Sequence, residues 1–89
     1  MKNKGIFNAI FREKPAMMLI MLLQSERDIY ASALAKMVDC TYSHVVKILQ
    51  EMQKADLISF EKQGRLKVLR LTKRGSEVAS HIEGIRHTL

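Results

Sequence analysis

Between Ile58 and Gly75 this 89-residue sequence places six cations, Lys62, Arg65, Lys67, Arg70, Lys73 and Arg74, beside a single carboxylate, Glu61. Clustered charge of one sign does electrostatic work: it attracts a polyanion and displaces its counterions. A second run, Thr41-Tyr42-Ser43-His44-Val45-Val46-Lys47, gathers hydroxyl, imidazole and ammonium groups and meets no carboxylate until Glu51. Such donors can approach phosphates and base edges without repulsion. Covalent chemistry has no comparable support. The sequence shows no nucleophile with a neighbouring base, no glycine loop to cradle a phosphate and no paired carboxylates, so an enzyme is not expected. Cys40 and His44 lie four apart and share a helical face, but a tetrahedral metal site needs at least three ligands, so no metal and no cofactor is expected. His81 and His87, six apart, share no face.

Composition sets the frame for these groups. Fifteen Lys and Arg against nine Asp and Glu leave a net charge of +6, with a pI near 9.8, and a polyanion becomes the leading partner. Hydrophobic residues at 47% and charged residues at 27% are too apolar for a disordered tail, and a chain this short supports one domain. A lone cysteine, Cys40, excludes an internal disulfide and fits a reducing cytoplasm. The longest apolar run, Pro15 to Leu23, is under half of the roughly 20 residues that span a bilayer, and Met1 to Lys14 lacks a signal peptide's apolar core. No membrane association is expected.

The elements that must position the polar groups follow from the spacing of apolar residues. Ile6, Phe7, Ile10 and Phe11 stripe one face of a short first helix. Pro15 suits the first position of a second helix, and Ala16 to Gln24 follow almost wholly apolar, a segment buried on most sides. Six Met residues make the interior adaptable. Ile29-Tyr30-Ala31 reads as a brief extended stretch. Ser32 is placed to cap a short helix by accepting the N–H of Ala35, with Leu34, Met37 and Val38 facing inward. After a break at Asp39-Cys40, Thr41 caps the best amphipathic helix, with Val45, Ile48, Leu49 and Met52 inside and Tyr42, Ser43, His44, Val46, Lys47 and Gln50 outside. Ile58-Ser59-Phe60 and Leu66 to Leu71 read as a hairpin turning at Gln63-Gly64-Arg65, and the alternation of Lys67, Leu69 and Leu71 puts Lys67 near the tip. Thr72 caps a last helix from Lys73 to about His87, in which Gly75 and Gly84 each cost about 1 kcal/mol relative to Ala. The fold class expected is mainly α with a small β-hairpin, α+β.

Specific stretches carry a family resemblance. Tyr30-Ala31-Ser32-Ala33-Leu34-Ala35 resembles the start of the first helix of a helix-turn-helix in multiple-antibiotic-resistance-type (MarR-like) regulators, and Thr41 to Leu49 resembles their recognition helix. Met52-Gln53-Lys54-Ala55-Asp56-Leu57-Ile58 looks like the family's helix exit. There Asp56 stands where glycine is usual, so a left-handed cap at that position falls to Asp. Gly64-Arg65 and Leu71-Thr72-Lys73-Arg74-Gly75 resemble the wing tip and the step into the next helix. The chain is thus similar to a winged helix-turn-helix with short flanking helices, in a small prokaryotic form, archaeal sources included. Its regions would be an N-terminal helical extension (1–14), a winged-helix core (15–75) and a C-terminal helix (76–89), all in one domain.

The resemblance implies a transcriptional regulator whose partner is double-stranded DNA. Recognition helix 41–54 would lie in the major groove, and basic wing 58–71 on the backbone or in the minor groove. The expected DNA contacts are Thr41, Tyr42, Ser43, His44 and Lys47 from the helix, with Lys62, Gln63, Arg65 and Lys67 from the wing. Neither Arg nor Asn begins the helix, so its base discrimination is expected to be modest, while Arg65 suits a narrow minor groove. A homodimer would set two recognition helices one turn of DNA apart. Its expected contact is formed by Ile6, Phe7, Ile10, Phe11, Val78, Ile82, Ile85 and Leu89. The long helices that frame a ligand pocket in MarR-like repressors are cut down here, so no small-molecule effector is expected. Two alternatives stay open: a winged-helix protein-interaction scaffold, and an architectural DNA-binding protein without sequence specificity.

Overall fold

The apolar run after Pro15 forms helix α1 (Glu13–Gln24), around which the rest of the chain is built. In the computed structural model, which describes residues 12–89, there follow α2 (Ala31–Met37), α3 (Tyr42–Lys54), strands β1 (Ile58–Gln63) and β2 (Leu66–Leu71), and α4 (Lys73–Thr88). The expected helix of Ile6, Phe7, Ile10 and Phe11 lies outside the described residues.

Two helix starts differ from the sequence reading. Pro15 is the third residue of α1 and not the first, which its missing N–H still permits because the first-turn N–H groups have no partner within the helix. Ser32 does not cap α2; it is the second helical residue, and Tyr30 holds the N-cap position without a side-chain bond. The reason lies in the approach to the helix. Ile29 forms a β-bridge with Leu69, whose N–H donates to the Ile29 carbonyl at 2.9 Å, and Tyr30 continues extended at φ −106°, ψ 160°. That bridge fixes where extended backbone stops, one residue too early for Ser32. Thr41 does cap α3, accepting the His44 N–H at 3.3 Å.

Both α2 and α3 end in the same paired closure. Cys40 N–H reaches the Ala35 carbonyl and Asp39 N–H that of Lys36; Leu57 N–H reaches Met52 and Asp56 N–H reaches Gln53. This Schellman arrangement requires one left-handed residue, supplied by Asp39 (φ 53°) and Asp56 (φ 60°). Lys14, from the first turn of α1, donates its Nζ to the carbonyl of Val38 and so sets a cation at the negative end of α2.

Met18 and Leu19 of α1, Leu34 of α2, Val45 and Leu49 of α3, Leu57, Ile58 of β1 and Ala79 of α4 are fully or almost fully buried in one core. The antiparallel hairpin runs in register from Ile58↔Leu71 to Gln63↔Leu66, with Gly64 at φ 62° opening its two-residue turn. Ile58, Phe60, Lys62, Lys67, Leu69 and Leu71 share one face of this ribbon. At the base that face enters the core through Ile58 and Leu69; at the far end Lys62 stands directly opposite Lys67.

The base of the hairpin is fastened to α4 through Thr72. Its hydroxyl donates to the Asp56 carbonyl at 2.6 Å and accepts the Gly75 N–H at 2.9 Å, while its own N–H donates to the Leu57 carbonyl at 3.0 Å. Gly75 is not a mere weak point of α4. A Cβ there would lie 1.8 Å from the Leu57 carbonyl oxygen, so the approach of α4 to the α3–β1 junction requires glycine.

Candidate nucleic-acid interface

The inward stripe of α3, Val45, Ile48, Leu49 and Met52, is buried, and this turns the opposite side outward. Thr41, Tyr42, Ser43, His44 and Lys47 are all exposed there, Tyr42 at 60% of its surface. The first turn of α3 carries no acidic residue, so its free N–H groups and positive dipole end face solvent unopposed. Thr41 has a structural duty as well, since its hydroxyl oxygen holds the cap.

On the hairpin, Lys62, Gln63, Arg65 and Lys67 are exposed and grouped at the far end. Lys67 Nζ lies 5.8 Å from the centre of the Phe60 ring, a cation–π contact along the shared face. Arg70 behaves differently. Its Nε–H donates to Glu61 Oε2 at 2.8 Å and its guanidinium pairs with Asp28 Oδ1 at 2.9 Å. The Glu61 hydrogen bond first, and then the Asp28 charge, raise its pKa above the ordinary arginine value. Of the six clustered cations, Arg70 is therefore already matched by carboxylates, from the hairpin and from the loop ahead of α2.

Between α3 and the hairpin runs a groove of about 860 Å³. Tyr42, Arg65 and Lys67 from the expected contacts line it, together with Tyr30, Gln50 and Gln53, and none of its lining residues is acidic. Ser43, His44 and Lys47 lie outside it on α3, and Lys62 and Gln63 outside it on the hairpin. Tyr30, Ser32 and Gln53 were not among the residues expected from sequence. For Gln53 a signal existed: Tyr42, Val46, Gln50 and Gln53 make a second stripe along α3, rotated from the buried one. Tyr30 and Ser32 reach the groove only because the Ile29–Leu69 bridge brings the start of α2 against the hairpin.

The remaining expected contacts lie on α4. Val78 and Ile82 are half-buried against the core of the same chain, whereas Ile85 is 51% and Leu89 98% exposed. Ile6, Phe7, Ile10 and Phe11 lie outside the described residues. Among the described residues, no group of three or more His, Cys, Asp or Glu side chains is placed to hold a metal ion, and no helix is long and apolar enough to cross a membrane.

Among the described residues, three helices, a hairpin with cations at its far end and a closing helix, with the acid-free first turn of α3 exposed, define a winged helix-turn-helix protein. Its fold is that of MarR-like transcription regulators. Within that class the chain belongs to the HVO_A0114 family, which it matches over residues 12–78. It is 31% identical over 80 residues to an uncharacterised protein of Archaeoglobus fulgidus, a match covering 85% of this chain and 83% of that one. The crystal structure of AF1382 from Archaeoglobus fulgidus is similar with a TM-score of 0.82 at 27% identity, covering 93% of this chain and 94% of that one. A complex of the Staphylococcus aureus regulator MepR with DNA is similar with a TM-score of 0.78, covering 98% of this chain and 73% of that one; at 16% identity this likeness is one of fold.

Proposed function

We propose that this protein is a DNA-binding transcriptional regulator that reads duplex DNA as a homodimer in the cytoplasm. The recognition helix, residues 41–54, enters the major groove, and the wing, residues 58–71, lies on the backbone with Arg65 reaching the minor groove. The observation that carries this reading is the placement of the acid-free first turn of α3 beside a groove lined by the wing cations Arg65 and Lys67, with Lys62 exposed on the same hairpin. Arg65 and Lys67 are exposed as well. The fold shared with MepR, which has been solved with DNA, supports the same docking. Ser43, His44 and Lys47 are assigned to base edges and nearby phosphates, Tyr42, Lys62, Gln63 and Lys67 to the flanking backbone, and Arg65 to the minor groove. Ile85 and Leu89, the exposed end of the α4 stripe, contribute to the subunit contact.

Selection from a random duplex pool at two salt concentrations, with sequencing of the bound fraction, tests the reading. A regulator of this kind enriches a palindrome and loses affinity steeply with salt, with a log–log slope of about −0.9 per phosphate neutralised. Salt-dependent binding without enrichment would instead identify an architectural protein, the outcome that the lack of Arg and Asn at the start of α3 would favour. Absence of binding would leave an interaction scaffold.

A further inference from the structure

We infer that Leu66 is a wedge: on binding, its side chain enters a base step from the minor groove, unstacks it and bends the duplex. The inference rests on the duplex-DNA reading above. It adds a deformation of the DNA, and with it a source of sequence preference that needs no contact to a base edge.

Among the described residues of the hairpin, Leu66 is the one large apolar side chain left exposed. The other apolar residues of β2 are taken up by the fold, Val68 and Leu69 buried and Leu71 half-buried against the core, whereas Leu66 is 54% exposed. It pairs with Gln63 to close the two-residue turn and so stands next to Arg65, the residue assigned to the minor groove. A polar strand former such as Thr would close the turn as well, so the fold gives a leucine no task here. Its surroundings are polar, with Lys62, Gln63, Arg65 and Lys67 all exposed. By strand alternation Lys62 and Lys67 project from one face of the ribbon and Leu66 from the other. The tip thus keeps its phosphate-seeking groups apart from its apolar one.

Apolar side chains carried beside cations on minor-groove elements insert between base pairs and kink the duplex toward the major groove. In the proposed docking α3 lies in that major groove, so the kink wraps the DNA around the helix and adds backbone contacts that offset the unstacking. The steps that open most easily are pyrimidine–purine steps. Of these, TA also gives Arg65 a minor groove without the guanine amino group. The wing therefore selects a TA step at a fixed distance from the major-groove contact. Neither Arg nor Asn begins α3, and this indirect readout supplies discrimination that the helix lacks.

Two duplexes of about three helical turns and identical composition test the wedge, one with TA steps and one with the same bases reordered into AA and TT steps. One preparation carries 2-aminopurine for adenine at those steps, and another a donor–acceptor dye pair at its ends. On the TA duplex the unsubstituted protein should raise 2-aminopurine emission about threefold and bring the ends closer, and it should prefer that duplex about tenfold. Leu66→Ala should bind within about threefold of the unsubstituted protein by anisotropy, lose both optical signals and keep less than about a twofold preference. Leu66→Met, which can still wedge, should retain all three properties. Thermal melting checks that each variant is folded, as the exposure of Leu66 leads one to expect. Binding without a rise in emission, or the same rise and bend with Leu66→Ala, would overturn the wedge while leaving DNA binding intact. If the unsubstituted chain binds neither duplex, the DNA reading falls and the wedge with it.

Discussion

A methyl group at Gly75 has nowhere to go, because the oxygen it would strike belongs to backbone that is itself pinned by the Thr72 N–H. Gly75→Ala is accordingly expected to lower stability by about 3 kcal/mol in urea unfolding, although alanine is the better helix former. Asp56 offers the opposite case. Its left-handed backbone is tolerated rather than preferred, so Asp56→Gly should raise stability by about 0.5 kcal/mol and Asp56→Val lower it by about 1 kcal/mol in the same measurement. The two positions were unequally legible. Asp56 announced itself by standing where the MarR-like helix exit that it resembles has glycine. Gly75 looked like a helix weakener, since no pattern along the chain reveals a carbonyl that folding brings against it.

Elements inherit this difference. Helix α3 was legible because its burial depends on its own period and its cap on Thr41, both local. The start of α2 was not, because Ile29 takes its partner, Leu69, from the far strand of the hairpin. The hairpin itself carries a conflict that only its register exposes. Lys62 and Lys67 are directly opposed, and like charges in that position destabilise a ribbon. Lys62→Glu should therefore raise thermal stability at low salt, by about 0.5 kcal/mol, while weakening duplex binding measured by anisotropy. A loss of both stability and binding would mean that the pair is not strained. If the prediction holds, the wing tip carries a repulsion that a polyanion relieves.

At the scale of the molecule, α4 packs on α1 with Ala79 fully buried and leaves Ile85 and Leu89 in solvent. Because Ile85 makes little contact with its own chain's core, Ile85→Asp should keep a cooperative melting transition, lowered only by the lost association, while converting the proposed dimer to a monomer in light scattering. An unchanged mass in a folded variant would place the subunit contact elsewhere. The groove was the least legible feature of all. Its residues come from the start of α2, one side of α3 and the hairpin, and their shared lack of acidic groups appears only once those three are brought together.

The fastening at Thr72 and Leu57 divides the wing into two units of unequal lifetime. The pairs nearest the turn, Lys62↔Lys67 and Gln63↔Leu66, are surrounded by exposed side chains and can part without disturbing anything else. The pairs at the base cannot, since opening Ile58↔Leu71 pulls on the residue that caps α4 and on the junction that ends α3. Amide protons at the tip should exchange with solvent through local fluctuations, and those at the base should await cooperative opening of the core. On that expectation the wing is a fingertip free to fray on a knuckle that opens only with the core.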